Sequence, residues 1–333
     1  MDSLTQLVLG AAVGEATAGR QVGRRALLWG AVCGTLPDLD VFVPLGDAVR
    51  DFTYHRSASH SLLILAAVTP VVVWLILKLH PATVEHRWRW FALVYLAFAT
   101  HVLLDSFTVY GTQIFWPLVP TPMTWSTIFI IDPLYTLPLL IGVIAASIAA
   151  RRRSWGHAAN TVGLVLSTSY LAWTIGAKLH VEHVAHRALE KQDIASTQVL
   201  TTPTPFNSLL WRILAVDGAS YYEGFYSVFD DRTEIRFEQR PRALELIAPL
   251  RNSWPLQRLQ WFTKGFYAAA SIDNGIIITD LRMGFEPEYV FRFKVGDLGN
   301  PHPRPTPVER VPGVRSLERL RWVYARIWDP QVR

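Results

Sequence analysis

The sequence predicts an α-helical integral membrane domain of five or six helices, followed by a small α+β soluble domain rich in antiparallel strands. Three observations predict it. Half of the 333 residues are hydrophobic and only 18% are charged, whereas ordinary soluble domains run near a quarter charged. The long apolar runs fall almost entirely within residues 1–180. Beyond residue 195 they give way to short β-branched or alternating runs bounded by turn residues. The expected division is therefore a membrane-embedded domain over 1–180 and an extracytoplasmic α+β domain with its linker over 181–333.

Spanning the hydrocarbon of a bilayer takes about 20 mostly apolar residues. Ser61–Leu79 and Pro133–Ala150 meet this without an acidic residue, and Trp90–Phe107 and His157–Leu179 are further candidates. Leu4–Gly19 and Ala26–Val43 are weaker, because each carries acids or several glycines; they read as short, half-buried or re-entrant helices. The N-terminal run lacks a basic flank, so no removable signal peptide is expected.

The basic residues set the expected orientation. Arg20, Arg24 and Arg25 lie between the first two segments, Lys78, Arg87 and Arg89 between the third and fourth, and Arg151, Arg152 and Arg153 between the fifth and sixth. Residues 108–132 contain no Lys or Arg. The positive-inside rule makes the three basic turns cytoplasmic and puts the loops at 36–60 and 108–132, both termini and the C-terminal domain on the other side. The net charge of +5 then belongs to membrane topology, and no nucleic-acid partner is expected.

In the C-terminal part, Tyr221–Phe229, Thr233–Phe237, Gly275–Asp280 and Tyr289–Phe293 read as strands. Asp273-Asn274-Gly275 reads as a hairpin turn, and a helix is expected near 315–328. The proline-rich run at 301–307 reads as loop.

One cysteine in the chain excludes a disulfide framework and any Cys-rich metal site. P-loop, dinucleotide-binding and GxSxG patterns are absent from the sequence. The chemistry lies instead in four clusters of Asp and His beside apolar sequence: Asp38 and Asp40; His55, Arg56, His60 and Ser61; His101 and Asp105; and Asp132 before Pro133. Ionisable groups at membrane depth are costly and partner one another around polar cavities. His101 and Asp105 are one helical turn apart and share a face. The topology, assigned from Lys and Arg alone, brings all four clusters to one membrane face. Asp38, Asp40, His55, His60, His101 and Asp105 are thus candidate ligands of one or two divalent ions, zinc or manganese, a centre suited to phosphoester hydrolysis. Arg56 and Ser61 are candidates to orient an anionic substrate, and Asp38 to serve as base. Blander readings stand beside these: Asp38 and Asp40 as a turn and cap, Asp132 as a helix-start residue, and His101 with Asp105 as a structural hydrogen bond. Glu15 reads as a buried partner, and His180, His183 and His186 as a solvated helical face.

At these residues the sequence resembles the YdjM-type family of inner-membrane proteins classed as metal-dependent hydrolases, some of them LexA-regulated. The resemblance rests on LPDLD (Leu36–Asp40), HRSASHS (His55–Ser61) and THVLLDSFTVYGTQIFWP (Thr100–Pro117), in that order. IFIIDPLYTLPLL (Ile128–Leu140), PTPFNSLLWRIL (Pro203–Leu214) and TDLRMG (Thr279–Gly284) are similar to its longer-chain branch. The resemblance implies a bacterial inner-membrane location and a relation to zinc-dependent phospholipase C and P1-type nucleases, carried here by the His101-xxx-Asp105 pattern. Family members commonly have a His where this chain has Gln6, so where that His is a ligand the resemblance implies its loss here. The common HRGxTHS reads HRSASHS, with Ser59 keeping the hydroxyl and Ser57 replacing the glycine.

The expected activity is metal-dependent hydrolysis of a phosphoester, lipid or lipid-linked, at the outer face of the cytoplasmic membrane. The competing expectation is a non-enzymatic membrane protein whose His/Asp cluster binds a structural metal or a lipid headgroup and whose C-terminal domain recruits an envelope partner. A transporter would need polar residues through the membrane, and only Glu15 lies deep enough.

Overall fold

The computed structural model describes residues 1–149, 154–231, 234–300, 302–313 and 316–332. It divides into two compact units, Met1–Phe42 with Arg56–Ile175, and Val43–His55 with Gly176–Arg333. A helical N-terminal region and an antiparallel C-terminal one follow one another, as the sequence predicts.

The first unit is built from α1 (Ser3–Val22), α2 (Arg25–Thr35), α4 (Leu62–Leu79), α5 (Arg87–Ser106), α6 (Pro133–Ile148) and the first part of α7 (Ser154–Lys191). The short α3 (Ala48–Tyr54) belongs to the second unit. Helices α1 and α2 pack face to face through Gly10 and Gly14 against Gly30 and Gly34. A Cβ on Gly10 would overlap the carbonyl oxygen of Gly30, and one on Gly34 would overlap that of Gln6. Small residues at four-residue spacing let two backbones touch where apolar side chains would hold them apart. Around this contact lie two apolar clusters, one of Val73, Ile76, Trp90, Leu93 and Phe98, the other of Val8, Leu9, Leu104, Ile128 and Leu139.

Among the described residues, two helices are long and apolar enough to cross a membrane, α4 and α7. Helix α6 is apolar but shorter. The other expected segments fall short for identifiable reasons. Helix α2 stops after 11 residues, because Pro37 lacks the N–H that would continue it. Helix α5 has 20 residues but opens on Arg87 and Arg89, and α1 has 20 but is rich in glycine and carries Glu15. The three arginines expected to mark a basic turn at 151–153 lie outside the described residues.

The second unit holds two four-stranded antiparallel sheets and a two-stranded hairpin. Strands β1 (Gln198–Pro203), β2 (Leu210–Val216), β3 (Ser220–Ser227) and β4 (Glu238–Pro241) pair in sequence order. After α8 (Trp254–Phe262), the second sheet takes the order β10-β9-β6-β5, from β5 (Tyr267–Ile272), β6 (Gly275–Asp280), β9 (Arg292–Asp297) and β10 (Arg304–Val311). The hairpin pairs β7 (Gly284–Phe285) with β8 (Glu288–Tyr289), and α9 (Leu317–Trp328) follows β10. The turn at Asp273-Asn274 has both residues at positive φ, as the sequence predicts. Three readings are corrected. Tyr289–Phe293 is not one strand, since β8 ends at Tyr289 and β9 begins at Arg292. Residues 234–237 are not a strand, Thr233 lying outside the described residues, and Arg304–Val311 is a strand rather than a loop. Prolines 305 and 307 are tolerated there because β10 is an edge strand, paired on one side alone.

Two of the segments similar to the longer-chain branch, Pro203–Leu214 and Thr279–Gly284, are interior structure of this unit, and the third, Ile128–Leu140, belongs to the first. Asn207 Oδ1 accepts from Leu209 N and Leu210 N, closing the turn before β2. Buried Arg212 pairs with Glu223 at 2.6 Å and donates to the carbonyl oxygen of Leu281. Arg282 forms a two-point pair with Asp280.

Candidate metal centre

Three chain segments bring the donors together. Pro37 ends α2 and turns the chain into a 3-10 segment, Leu36–Phe42, that carries Asp38. A short turn, Ala58–His60, places His60 immediately before α4, whose N-cap is Ser61. His101 and Asp105 lie on one face at the end of α5. His60, His101 and Asp105 are fully buried, and the Asp38 side chain is 18% exposed.

Their atoms converge. His60 Nε2 lies 3.1 Å from Asp105 Oδ2, 3.3 Å from Asp38 Oδ1 and 3.1 Å from His101 Nε2. His101 Nε2 lies 3.5 Å from Asp105 Oδ2 and 3.6 Å from Asp38 Oδ1. Donors bound to zinc tetrahedrally at about 2.0–2.1 Å stand about 3.3–3.4 Å apart, and these separations bracket that edge. Among the described residues these four form the group that can hold a metal ion. Asp105 Oδ2 is buried with no aligned hydrogen bond and faces this point.

The outer nitrogens of both rings are fixed. His101 Nδ1 lies 2.7 Å from the carbonyl oxygen of Gly34, which can only accept, so Nδ1 carries the proton. Ser59 Oγ donates to Asp40 Oδ2 at 2.5 Å and so must accept from His60 Nδ1 at 2.9 Å. Each ring therefore turns Nε2 toward the carboxylates, the orientation of a metal-ligating imidazole. Burial opposes charge on His60, yet the adjacent Asp105 and Asp38 carboxylates raise its pKa. Burial likewise opposes charge on Asp38, and the adjacent His101 and His60 rings hold its carboxyl well below the usual range. The centre stabilises positive charge.

The remaining sequence candidates lie outside this group of four. Asp40 holds the loop, accepting from Arg56 N at 3.1 Å as well as from Ser59. Arg56 is buried, with Nε 3.2 Å from Asp105 Oδ2, Nη1 3.3 Å from Thr108 Oγ1 and its guanidinium over the Tyr110 ring. Its charge faces Asp105. Ser61 donates to the Trp116 carbonyl at 2.6 Å and caps α4. His55 falls in the other unit and is not one of the four. Asp132 caps α6 and accepts from Tyr170 at 2.8 Å. His180 lies 3.3 Å from the Tyr226 hydroxyl, and Glu15 lies 3.6 Å from His157.

Sequence reasoning did not foresee the groups that support Asp105. The Met1 amine pairs with Oδ1, and Gln6 Nε2 donates to Oδ1 at 3.0 Å and to the His101 carbonyl at 3.2 Å. In the sequence Gln6 is visible only as an interruption of a pattern, and Thr108 and Tyr110 carry no signal of their own within Thr100–Pro117.

The family model described as YdjM inner membrane protein matches residues 1–181, more than half of the chain. The chain belongs to this inner-membrane family. Within that match lie all four donors and the two glycine pairs of α1 and α2. The chain is also similar to "Uncharacterized protein YfhP" of Bacillus subtilis, 26% identical over 234 residues that cover 67% of this chain and 68% of that protein. No solved structure matches.

Proposed function

We propose that the protein is a membrane-bound, metal-dependent hydrolase of phosphoesters. The observation that carries this reading is the tautomer lock: two buried imidazoles, each with its proton fixed on Nδ1, turn Nε2 toward two carboxylate oxygens at tetrahedral-edge distances. A divalent ion held there, zinc or manganese, supplies a water ligand acidified toward neutrality and an electrophile for a phosphoryl oxygen.

This chain's own residues have separable roles. His60, His101, Asp105 and Asp38 hold the ion. Asp38 is the donor open to solvent, so its free oxygen is placed to take a proton from an incoming water. Ser59 and Asp40 orient His60, and the Gly34 carbonyl orients His101. Arg56 neutralises part of the buried charge of Asp105.

Further crossings by α1, α2, α5 and α6, giving five or six in all with a C-terminal domain outside the cytoplasm, belong to the same proposal. The support is the distribution of Lys and Arg, because Arg20, Arg24, Arg25, Lys78, Arg87 and Arg89 all fall at the helix ends away from the donors.

One observation favours a second reading. Four protein donors fill a tetrahedral zinc, which is the pattern of a structural site, whereas catalytic zinc keeps a position open. Metal content and turnover separate the two. Mass spectrometry of detergent-purified protein should find about one ion per chain, lost in His101→Ala and Asp105→Ala while the protein remains monodisperse. The loaded protein should cleave bis(p-nitrophenyl) phosphate. Bound metal without turnover of any phosphoester would favour the structural site, and absence of metal after reconstitution would sink both.

A further inference from the structure

Two loop tips flank the metal donors, and both are apolar where a loop at a water surface is ordinarily polar. On the 3-10 segment that carries Asp38, the side chains of Leu39, Val41 and Phe42 are 50%, 65% and 79% exposed. In the loop that follows α5, Phe115, Leu118 and Val119 are 41%, 77% and 47% exposed. The second loop is bound directly to the site. Gln113 N donates to the Arg56 carbonyl at 2.9 Å, Leu62 N to that of Ile114 at 2.9 Å, and Ser61 Oγ to that of Trp116 at 2.6 Å. Its tip is a closed turn, with Val119 N donating to the Phe115 carbonyl at 3.0 Å.

Charge is missing around these tips. Residues 36–46 contain no Lys or Arg, and their two acids, Asp38 and Asp40, are the ones engaged in the site. Residues 108–132 contain a single charged residue, Asp132, which caps α6. Exposed apolar groups that adjoin a polar site mark a place where something apolar is met.

The position of the donors names the apolar phase. His60 precedes the membrane-span candidate α4 by two residues, and Asp105 is in the last turn of α5. In an inner-membrane protein, groups at a span end lie at the depth of the lipid headgroups. Aromatic and aliphatic side chains beside them enter the boundary between headgroups and acyl chains.

We propose that the two tips sit in the headgroup layer and that the metal centre acts on a membrane phospholipid. This rests on the hydrolytic reading and specifies its substrate class. The headgroup phosphate reaches the centre from the side of Asp38, the one donor with exposed surface. Water oxygen bonds to phosphorus, the phosphorus–oxygen ester bond breaks, and the proton lost by water ends on the departing alcohol oxygen.

The test uses the full-length chain in nanodiscs of phosphatidylethanolamine and phosphatidylglycerol. The chain's one cysteine, Cys33, is buried, so a cysteine placed at a tip is labelled selectively. Nitroxides at Phe42→Cys and Leu118→Cys should collide more with oxygen than with a water-soluble nickel chelate. The preference should invert at Glu85→Cys, in the exposed turn between α4 and α5. A nickel preference at both tips would overturn the placement and leave a protein partner or a second copy as the cover. For the substrate, Phe42→Ser combined with Leu118→Ser should lower kcat/KM on dioleoyl phosphatidylglycerol vesicles by about tenfold or more. The same variant should change kcat/KM on the monomeric dihexanoyl lipid by less than about twofold. Equal effects on both substrates would overturn lipid selection by the tips. Lipid-facing labels with no cleavage of either lipid or of a soluble phosphoester would remove the hydrolytic reading and the substrate with it and leave the placement of the tips, because the label result does not depend on turnover.

Discussion

His101 and Gly34 are joined by a contact of 2.7 Å between the ring Nδ1 and the backbone carbonyl oxygen, and it couples helix packing to ligand geometry. The carbonyl stands where it does because α1 and α2 meet backbone to backbone at Gly10, Gly14, Gly30 and Gly34. A methyl group at Gly34 would overlap the Gln6 carbonyl and part the helices.

Gly34→Ala should therefore weaken metal binding by about 10–100-fold, the usual effect of losing a partner behind a ligating histidine. Chelator competition in detergent measures it. Gly176→Ala is the control: among the described residues nothing beyond the helix's own neighbouring backbone lies within 4 Å of the added Cβ, and that helical position should gain about 0.5–1 kcal/mol. Equal metal affinity in Gly34→Ala and wild type would show that the carbonyl does not orient His101.

A hydroxyl rather than a carbonyl orients the second ring. Ser59 stands between Asp40 and His60, at 2.5 Å from the carboxylate and 2.9 Å from Nδ1. Ser59→Ala should cost about tenfold or more in metal affinity, and Ser59→Thr, which keeps the hydroxyl, should restore most of it. Failure of threonine to rescue would assign the loss to loop packing instead.

What the sequence makes legible follows from the range of each interaction. His101 and Asp105 share a helical face by spacing alone. Asp38 and His60 are visible because ionisable groups beside apolar runs need partners. Backbone partners are invisible to side-chain patterns, so the Gly34 carbonyl and the Met1 amine were not foreseen. Arg56 and Ser61 look like substrate-binding groups in sequence, but burial against Asp105 and a bond to the Trp116 carbonyl give them other work. Crossing helices were harder to count, because α1 and α2 bury small residues against one another while α5 buries Trp90, Leu93 and Phe98, and composition cannot separate such helices from a span.

In the C-terminal unit, Arg212 is 2% exposed and holds Glu223 and the Leu281 carbonyl together. Arg212→Ala leaves a buried carboxylate and an unpaired carbonyl, and should destabilise the protein by about 3–5 kcal/mol. Replacing both Arg212 and Glu223 by apolar residues of similar volume should cost less than Arg212→Ala alone. Chemical denaturation followed by near-ultraviolet circular dichroism reads the difference. A double variant as unstable as the single would mean that the Leu281 bond, not the ion pair, carries the effect.

Arg56 gives the sharpest separation between holding a fold and holding an ion. Its guanidinium is buried beside Asp105, hydrogen-bonded to Thr108 and set over the Tyr110 ring. Arg56→Gln removes a cation from a fully buried carboxylate, and a buried charge left uncompensated costs about 3–5 kcal/mol. Gln6 Nε2 still donates to Oδ1, so part of the compensation survives. A divalent ion would supply the rest, since it brings positive charge to the same carboxylate from its Oδ2 side. The variant should therefore lose more thermal stability than wild type when a chelator is added, and recover more when zinc or manganese is restored. Melting curves with and without chelator on both proteins check this. An identical chelator effect in the two would mean that the ion and Arg56 do not share Asp105, and the four-donor centre would have to be redrawn without it.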